Sequence, residues 1–164
     1  MGSHPCPCGY YGDQKRVCRC TPYKIENYMS KISGPLLDRI DIHVDVPAVQ
    51  YSDLASASSG ETSAEIRERV DLARDVQHRR FKEYRFKTNA HMSSRILKTH
   101  CKLECESASL LNQAMIELRL SARGYTKIIK VARTIADVDL SDIIKVEHIS
   151  EALQYRRLDR NFIE

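Results

Sequence analysis

Four cysteines within fifteen residues, Cys6, Cys8, Cys18 and Cys20, are the densest group of reactive side chains in this sequence of 164 residues. Their C-x-C-x9-C-x-C spacing can close four thiolates around a tetrahedral zinc ion at about 2.3 Å per Zn–S bond. Gly9 and Gly12 are placed to supply the tight turns between the two pairs. Four protein ligands leave no open coordination position, so such a site would be structural rather than catalytic. Structural zinc knuckles more often have two residues between paired cysteines, and the competing reading is a flexible loop of reduced thiols. Nothing marks the chain as secreted, so disulfides are not expected and a cytoplasmic setting is.

Two arginines stand at the ends of elements, where a guanidinium can act beyond its own fold. Arg39 lies in Asp38-Arg39-Ile40-Asp41, after a short turn through Leu36 and Leu37. Beyond it Ile40, Ile42, Val44 and Val46 alternate with Asp41, His43 and Asp45. That period of two predicts a half-buried strand over Ile40 to Val46, closed by Pro47. An arginine just before such a strand is placed where a nucleotide-hydrolysing ring reaches into its neighbour's active site. The plainer reading is a surface Arg paired with Asp38 or Asp41, worth little. Arg123 follows Ser121 at the expected start of a helix. The free N–H groups and positive dipole end of a first helical turn favour an anion, and an arginine adds a bidentate phosphate donor. The alternative is an ordinary helix-start Arg in solvent. Arg133, ten residues on, reads as structural.

These residues require positioning elements. Thr21-Pro22 is a helix start, a capping hydroxyl before Pro at the first helical position, and the helix should run from Tyr23 to Lys31. Ser33-Gly34-Pro35 breaks it. Residues 50–62 are small, polar and aperiodic, and read as a linker. Thr62-Ser-Ala-Glu65 fits a capping box. A long helix should follow with Ile66, Val70, Ala73, Phe81 and Tyr84 on its apolar face and most arginines outward. Lys87-Thr-Asn-Ala breaks it, and Ser93 or Ser94 can cap a short helix to His100. Ala108, Leu111, Met115 and Leu118 mark another helix; Tyr125, Ile128, Ile129, Ala132, Ile135 and Ala136 the next; Val146, Ile149, Ala152 and Leu153 the last. Four or five helices joined by short connections predict a compact bundle, so the chain is expected to be mainly α.

The net charge of +4 is local: residues 66–87 carry eight Lys/Arg against four Asp/Glu, and the remainder balances. Arg67, Arg69, Arg74, Arg79, Arg80, Lys82, Arg85 and Lys87 suit salt-sensitive contact with DNA phosphates, and Tyr84 and Phe86 suit base stacking. They equally suit a solvated helix face threaded by pairs such as Asp75 with Arg79. Cys101, Cys105 and His100 could gather a metal, but read as buried small hydrophobes around a bystander imidazole. His148 reads as structural. No apolar run approaches the ~18 residues of a membrane span, and no Ser/His/Asp or Cys/His triad can be argued.

The strings Ser33-Gly-Pro-Leu-Leu-Asp-Arg-Ile-Asp-Ile-His-Val-Asp-Val-Pro47 and Leu120-Ser-Ala-Arg-Gly-Tyr-Thr-Lys-Ile-Ile-Lys-Val-Ala-Arg-Thr-Ile-Ala136 resemble the carboxy-terminal part of magnesium-chelatase-like AAA+ ATPases, in their ComM/YifB-like branch. The resemblance covers nearly everything after Met1-Gly-Ser-His4. It implies an end of the ATPase core over 5–49, a linker over 50–62 and a helical lid over 63–164. It also implies an arginine finger at Arg39, acting in trans, and a sensor-2 contact from Arg123 to the phosphates of ATP. The family shares the four cysteines. Its members form rings, hexameric by expectation, that use ATP and Mg2+, and those carrying the cysteines are implicated in branch migration of DNA. True chelatase subunits act instead in metal insertion into a porphyrin. Met1–His4 reads as an expression scar, and His4 stands where the family carries a nucleotide-sensing Asn. The sequence holds no Gly-x-x-x-x-Gly-Lys-Ser/Thr loop and no acidic Walker-B strand, so the chain alone is expected to be inactive. A rival from another class is a self-standing zinc-binding DNA-binding or adaptor module, built on the four cysteines and the 66–87 helix.

Overall fold

The computed structural model of the protein describes residues 4–13, 15–44, 46, 49 and 60–156. Most of the expected linker, 50–59, and the first three residues of the expected scar lie outside the described residues. Seven helices stand among those described: α1 (Pro22–Met29), α2 (Gly34–Leu37), α3 (Ser63–Arg80), α4 (Ser94–His100), α5 (Cys105–Glu117), α6 (Ala122–Val138) and α7 (Val146–Gln154), with a 3-10 turn at Asn89–His91. The chain is mainly α, as expected, and divides into two compact units.

The first unit takes in, among the described residues, the cysteines, α1 and α2 as far as Ile40, and also Val44, Val46 and Val49. Thr21 begins α1 as expected, its Oγ1 accepting from the Lys24 N–H at 3.4 Å with Pro22 next. Two consecutive Ser33 carbonyl contacts, from the N–H of Leu36 at 2.9 Å and of Leu37 at 3.1 Å, start α2.

The described residues of the second unit are Asp41–His43 and 60–156. Its axis is α6, which packs against α3, the 3-10 turn, α4 and α7, while α7 packs on α5 as well. Phe81, Leu111, Ile128, Ile144 and Ile149 are among its fully buried side chains. The capping box at Thr62 and Glu65 forms in both directions. At α6 the Ser121 Oγ accepts from the Gly124 N–H at 3.0 Å, so that helix begins where its cap predicts. The loops before α5 and α7 join through a single parallel bridge, Leu103 with Ile144.

Several expectations are corrected. Ile40 to Val46 forms no strand among its described residues. Ile42, Val44 and Val46 are 49%, 66% and 85% exposed, whereas His43 is buried. The His43 N–H donates to the Tyr155 carbonyl at 2.7 Å, and Asp41 pairs with Lys127. Bonds from the backbone and from Asp41 thus anchor this segment, while Ile42, Val44 and Val46 face outward. The long helix ends at Arg80, before Phe81, and Lys87 Nζ donates to the carbonyls of Phe81, Lys82 and Tyr84 at 3.0, 3.1 and 3.3 Å, closing a turn there. Ile66 and Val70 are exposed although they share a face with buried Ala73. In α5 the buried positions are Ser107, Leu111 and Ala114. Ala108 is exposed, since the Ser107 hydroxyl turns inward to donate to the Ile144 carbonyl at 3.0 Å. Cys101 is buried as expected, but Cys105, in the first turn of α5, is exposed.

Candidate metal centre

The cysteine loop is built from local turns. The Gly9 N–H donates to the Cys6 carbonyl at 3.0 Å, and the Asp13 N–H to the Tyr10 carbonyl at 3.1 Å. Gly9 and Gly12 adopt φ of 81° and 83°, in the left-handed region open to glycine at little cost. The Asp13 carboxylate then accepts the N–H groups of Lys15 and Arg16 at 2.7 and 3.0 Å, which turns the chain back toward Cys18 and holds that carboxyl below its ordinary pKa.

These turns bring all four expected ligands together. The sulfur atoms of Cys6, Cys8, Cys18 and Cys20 lie within 4.8 Å of one another. Cys6 and Cys8 approach to 3.3 Å, Cys8 and Cys18 to 3.5 Å, and Cys6 and Cys18 to 3.7 Å. A tetrahedron with Zn–S bonds of about 2.3 Å has edges of about 3.8 Å, so the cluster has the size such an ion requires. The ionisation pattern fits the same reading. N–H groups of Tyr10 and Arg19 and the Cys6 thiol bring Cys8 down to about 6. For Cys18 the Cys20 N–H acts downward, but desolvation and the crowding sulfurs of Cys8, Cys6 and Cys20 prevail and push it up to about 12. Cys20 is raised too, its pull from the Cys8 N–H outweighed by desolvation and the Cys8 sulfur. One thiolate forms readily and then opposes the next, a conflict that a divalent cation removes. The four cysteines can hold a metal ion.

The two arginines occupy the element ends the sequence indicated. Arg39 is exposed just past α2, where its Nη1 donates to the Pro35 carbonyl at 3.0 Å. Arg123 is exposed in the first turn of α6. They belong to different units.

The basic segment is not one continuous cationic face. Arg69 pairs with Glu61, Arg79 Nε donates to the Asp75 carbonyl at 3.4 Å, and Lys87 closes its own turn. Arg80 turns inward: its Nη1 donates to Asp137 Oδ2 at 2.8 Å and to Asn89 Oδ1 at 3.0 Å, and its Nη2 pairs with Asp137 Oδ1. Asp137 also accepts from Arg133 Nε at 3.0 Å and Asn89 Nδ2 at 2.7 Å. Arg133 further donates to the carbonyls of Asp142, at 2.9 Å, and Ser141. Arg133 is structural, as expected, while Asp137, Asn89 and the inward turn of Arg80 were not foreseen. The available signal was that Arg133 and Asp137 fall on the same stripe of α6 as Ile129, Ala132 and Ala136. Tyr84 and Phe86 pack against Phe81, at ring-centroid distances of 5.8 and 5.0 Å, so these rings serve the core. His148 is buried; its Nδ1 accepts from the Lys145 N–H at 3.0 Å and its Nε2 lies 3.2 Å from Asp139.

The family model for the magnesium chelatase subunit ChlI C-terminal region matches residues 60–156, the helical unit. The chain belongs to that family. The model for magnesium chelatase subunit ChlI matches residues 1–54, which include the cysteines and Arg39. Among similar proteins, YifB of Escherichia coli K12, described as uncharacterized, is 41% identical over 161 residues, covering 98% of this chain and 31% of its own length. Competence protein ComM of Haemophilus influenzae is 38% identical over 158 residues, covering 96% of this chain and 30% of its own length. An uncharacterized protein of Mycobacterium bovis is 31% identical over 157 residues, 96% of this chain and 31% of its own. The chain thus spans about a third of the length of these relatives. No described helix is long and apolar enough to cross a membrane.

Proposed function

We propose that this chain is the arginine-bearing and lid portion of a magnesium-chelatase-like AAA+ machine that couples ATP hydrolysis to remodelling of DNA. Arg39 acts as the finger, reaching a neighbouring subunit's ATP and stabilising charge that develops on the transferred phosphoryl group. Arg123 contacts the phosphates held by its own subunit, aided by the positive end of α6. ATP and Mg2+ are bound by a phosphate loop and acidic strand in a protein of the relatives' length, which assembles as a homo-oligomeric ring, by expectation a hexamer. The four cysteines hold a structural Zn2+. Of the properties that support this reading, the most direct is the exposure of an arginine at each of the two element ends that match the family strings. DNA is the favoured substrate over a metal-porphyrin because the proteins it resembles include a competence protein.

The test is steady-state ATPase in a protein of the relatives' length, with and without branched DNA. Arg39→Ala should lower turnover by about 10³-fold or more while ATP still binds, the scale known for arginine fingers. Mixing Arg39→Ala subunits with subunits lacking the phosphate loop should partly restore turnover, because each supplies what the other lacks. Arg123→Ala should weaken nucleotide binding as well as turnover. Turnover unchanged by Arg39→Ala ends the finger assignment. Salt-dependent DNA binding by this chain alone, with no ATPase in the longer protein, would favour the self-standing module instead.

A further inference from the structure

The first unit holds little to fold around. Among its described residues only two hydrophobic side chains are buried, Cys6 at 1% exposure and Leu37 at 4%. Helix α1 buries none of its eight residues, and the four-residue α2 buries only Leu37. Helices of this length are marginal in water without tertiary support, because nucleation costs more than a few hydrogen bonds return. Units this small are ordinarily completed by disulfides or metals.

The cysteine cluster is positioned to be that support. Cys20 directly precedes Thr21, the cap of α1. From there a run of local backbone bonds continues to the arginine: Ser30 N–H to Glu26 at 2.8 Å, Ile32 N–H to Met29 at 2.9 Å, Leu36 N–H to Ser33 at 2.9 Å and Arg39 N–H to Leu36 at 3.0 Å. Each bond spans only three or four residues, so none of them ties this run to a distant part of the unit. Cys6 and Cys8 approach from the far side of the loop, twelve and ten positions from Cys18. Closing these sulfurs around one ion crosslinks the turn at Cys6 and Cys8 to the stretch that directly precedes α1.

We propose that the four-cysteine metal site is the core of the first unit, so that metal binding orders α1 and α2 and thereby positions Arg39. Arg39 is then presented by a folding event conditional on the metal, and the cysteines are positioning residues for it. This rests on the metal reading of the cluster and, for its consequence, on the role assigned to Arg39.

The experiment is hydrogen–deuterium exchange on the full 164-residue chain, loaded with Zn2+ or stripped by a chelator, with Co2+ substitution as an independent report of binding. Tetrahedral thiolate Co2+ should give its visible absorption at one equivalent. Stripping should speed exchange in peptides from 21–40 by about tenfold or more and leave 60–156 unchanged. Cys8→Ser should behave as the stripped protein, while Cys105→Ser, outside the cluster, should behave as the loaded one. One equivalent of Co2+ bound with 21–40 equally protected, or equally unprotected, in both states overturns the inference and leaves the metal site standing. Absence of the thiolate absorption overturns both. Neither result bears on Arg39→Ala turnover, so this inference and the finger assignment fail separately.

Discussion

The two units solve the same problem with opposite materials. The second buries a continuous apolar core from four helices and their connections, and places inside it a carboxylate held by two guanidinium groups and an amide. Among its described residues the first buries almost no hydrocarbon and gathers four sulfurs instead. Burial scales with the number of apolar side chains that can meet, and only the longer stretch has enough to offset ordering about 1–2 kcal/mol of backbone entropy per residue. Where hydrocarbon is scarce, a few strong directional bonds are the remaining option. The difference implies that the units should respond to different insults: the first to metal removal, the second to disturbance of packing and buried charge.

The largest expected effect breaks the comparison from the metal side. Structural zinc in small metal-folded peptides contributes about 10–16 kcal/mol of binding free energy that is also folding free energy. Chelation should therefore accelerate tryptic cleavage after Lys31 and Arg39 sharply, while the 60–156 region stays resistant. Equal sensitivity of both regions would show that the second unit depends on the first. Lower pH should act in the same direction, because metal binding requires all four thiolates and protons compete for them.

Next comes the buried charge. Asp137→Ala leaves Arg133 and Arg80 without their shared carboxylate, which should destabilise the second unit by about 3–5 kcal/mol in urea unfolding. Metal affinity at the cysteines should not change. A loss under about 1 kcal/mol would mean that water reaches the two guanidiniums and that the site is less closed than its geometry indicates. Thr62→Ala is smaller: it removes the cap and one half of the box at α3 and should cost about 1 kcal/mol.

The smallest effect concerns pH within the second unit. Burial, with Arg80 adding to it, depresses His100 below its ordinary value of 6.5. A depressed folded value means that the unfolded chain takes up the proton first. The contribution of neutral His100 is thus complete above pH about 6.5 and is lost as pH falls through the folded value. Urea midpoints between pH 7 and 5 should decline, and His100→Asn should flatten that decline. An unchanged slope in the variant would place the sensitivity elsewhere.

Much of this was legible before any coordinates. The caps at Thr21, Thr62 and Ser121 depend on a hydroxyl and an N–H three residues away, so the chain alone decides them. The cysteine cluster was legible for a similar reason: two C-x-C pairs and two glycines bring the sulfurs near one another through turns rather than through a distant partner. What failed required knowing the opposite surface. The alternation from Ile40 to Val46 stated that the two sides differ, but not which side would meet protein. The cationic count over 66–87 could not reveal that Arg80 leaves that face for an aspartate 57 positions on.

What the sequence by itself determined, then, is where the helices capped by Thr21, Thr62 and Ser121 begin, that the chain is mainly α, and which four thiols can share an ion, because those outcomes rest on groups a few bonds or a few turns apart. Only the tertiary structure decided which faces are covered, that Asp137 would gather Arg80, Arg133 and Asn89, and that the outward side of Ile42 and Val44 carries the hydrocarbon. The physical reason is that burial and charge pairing belong to two surfaces at once, and one segment of chain specifies only its own.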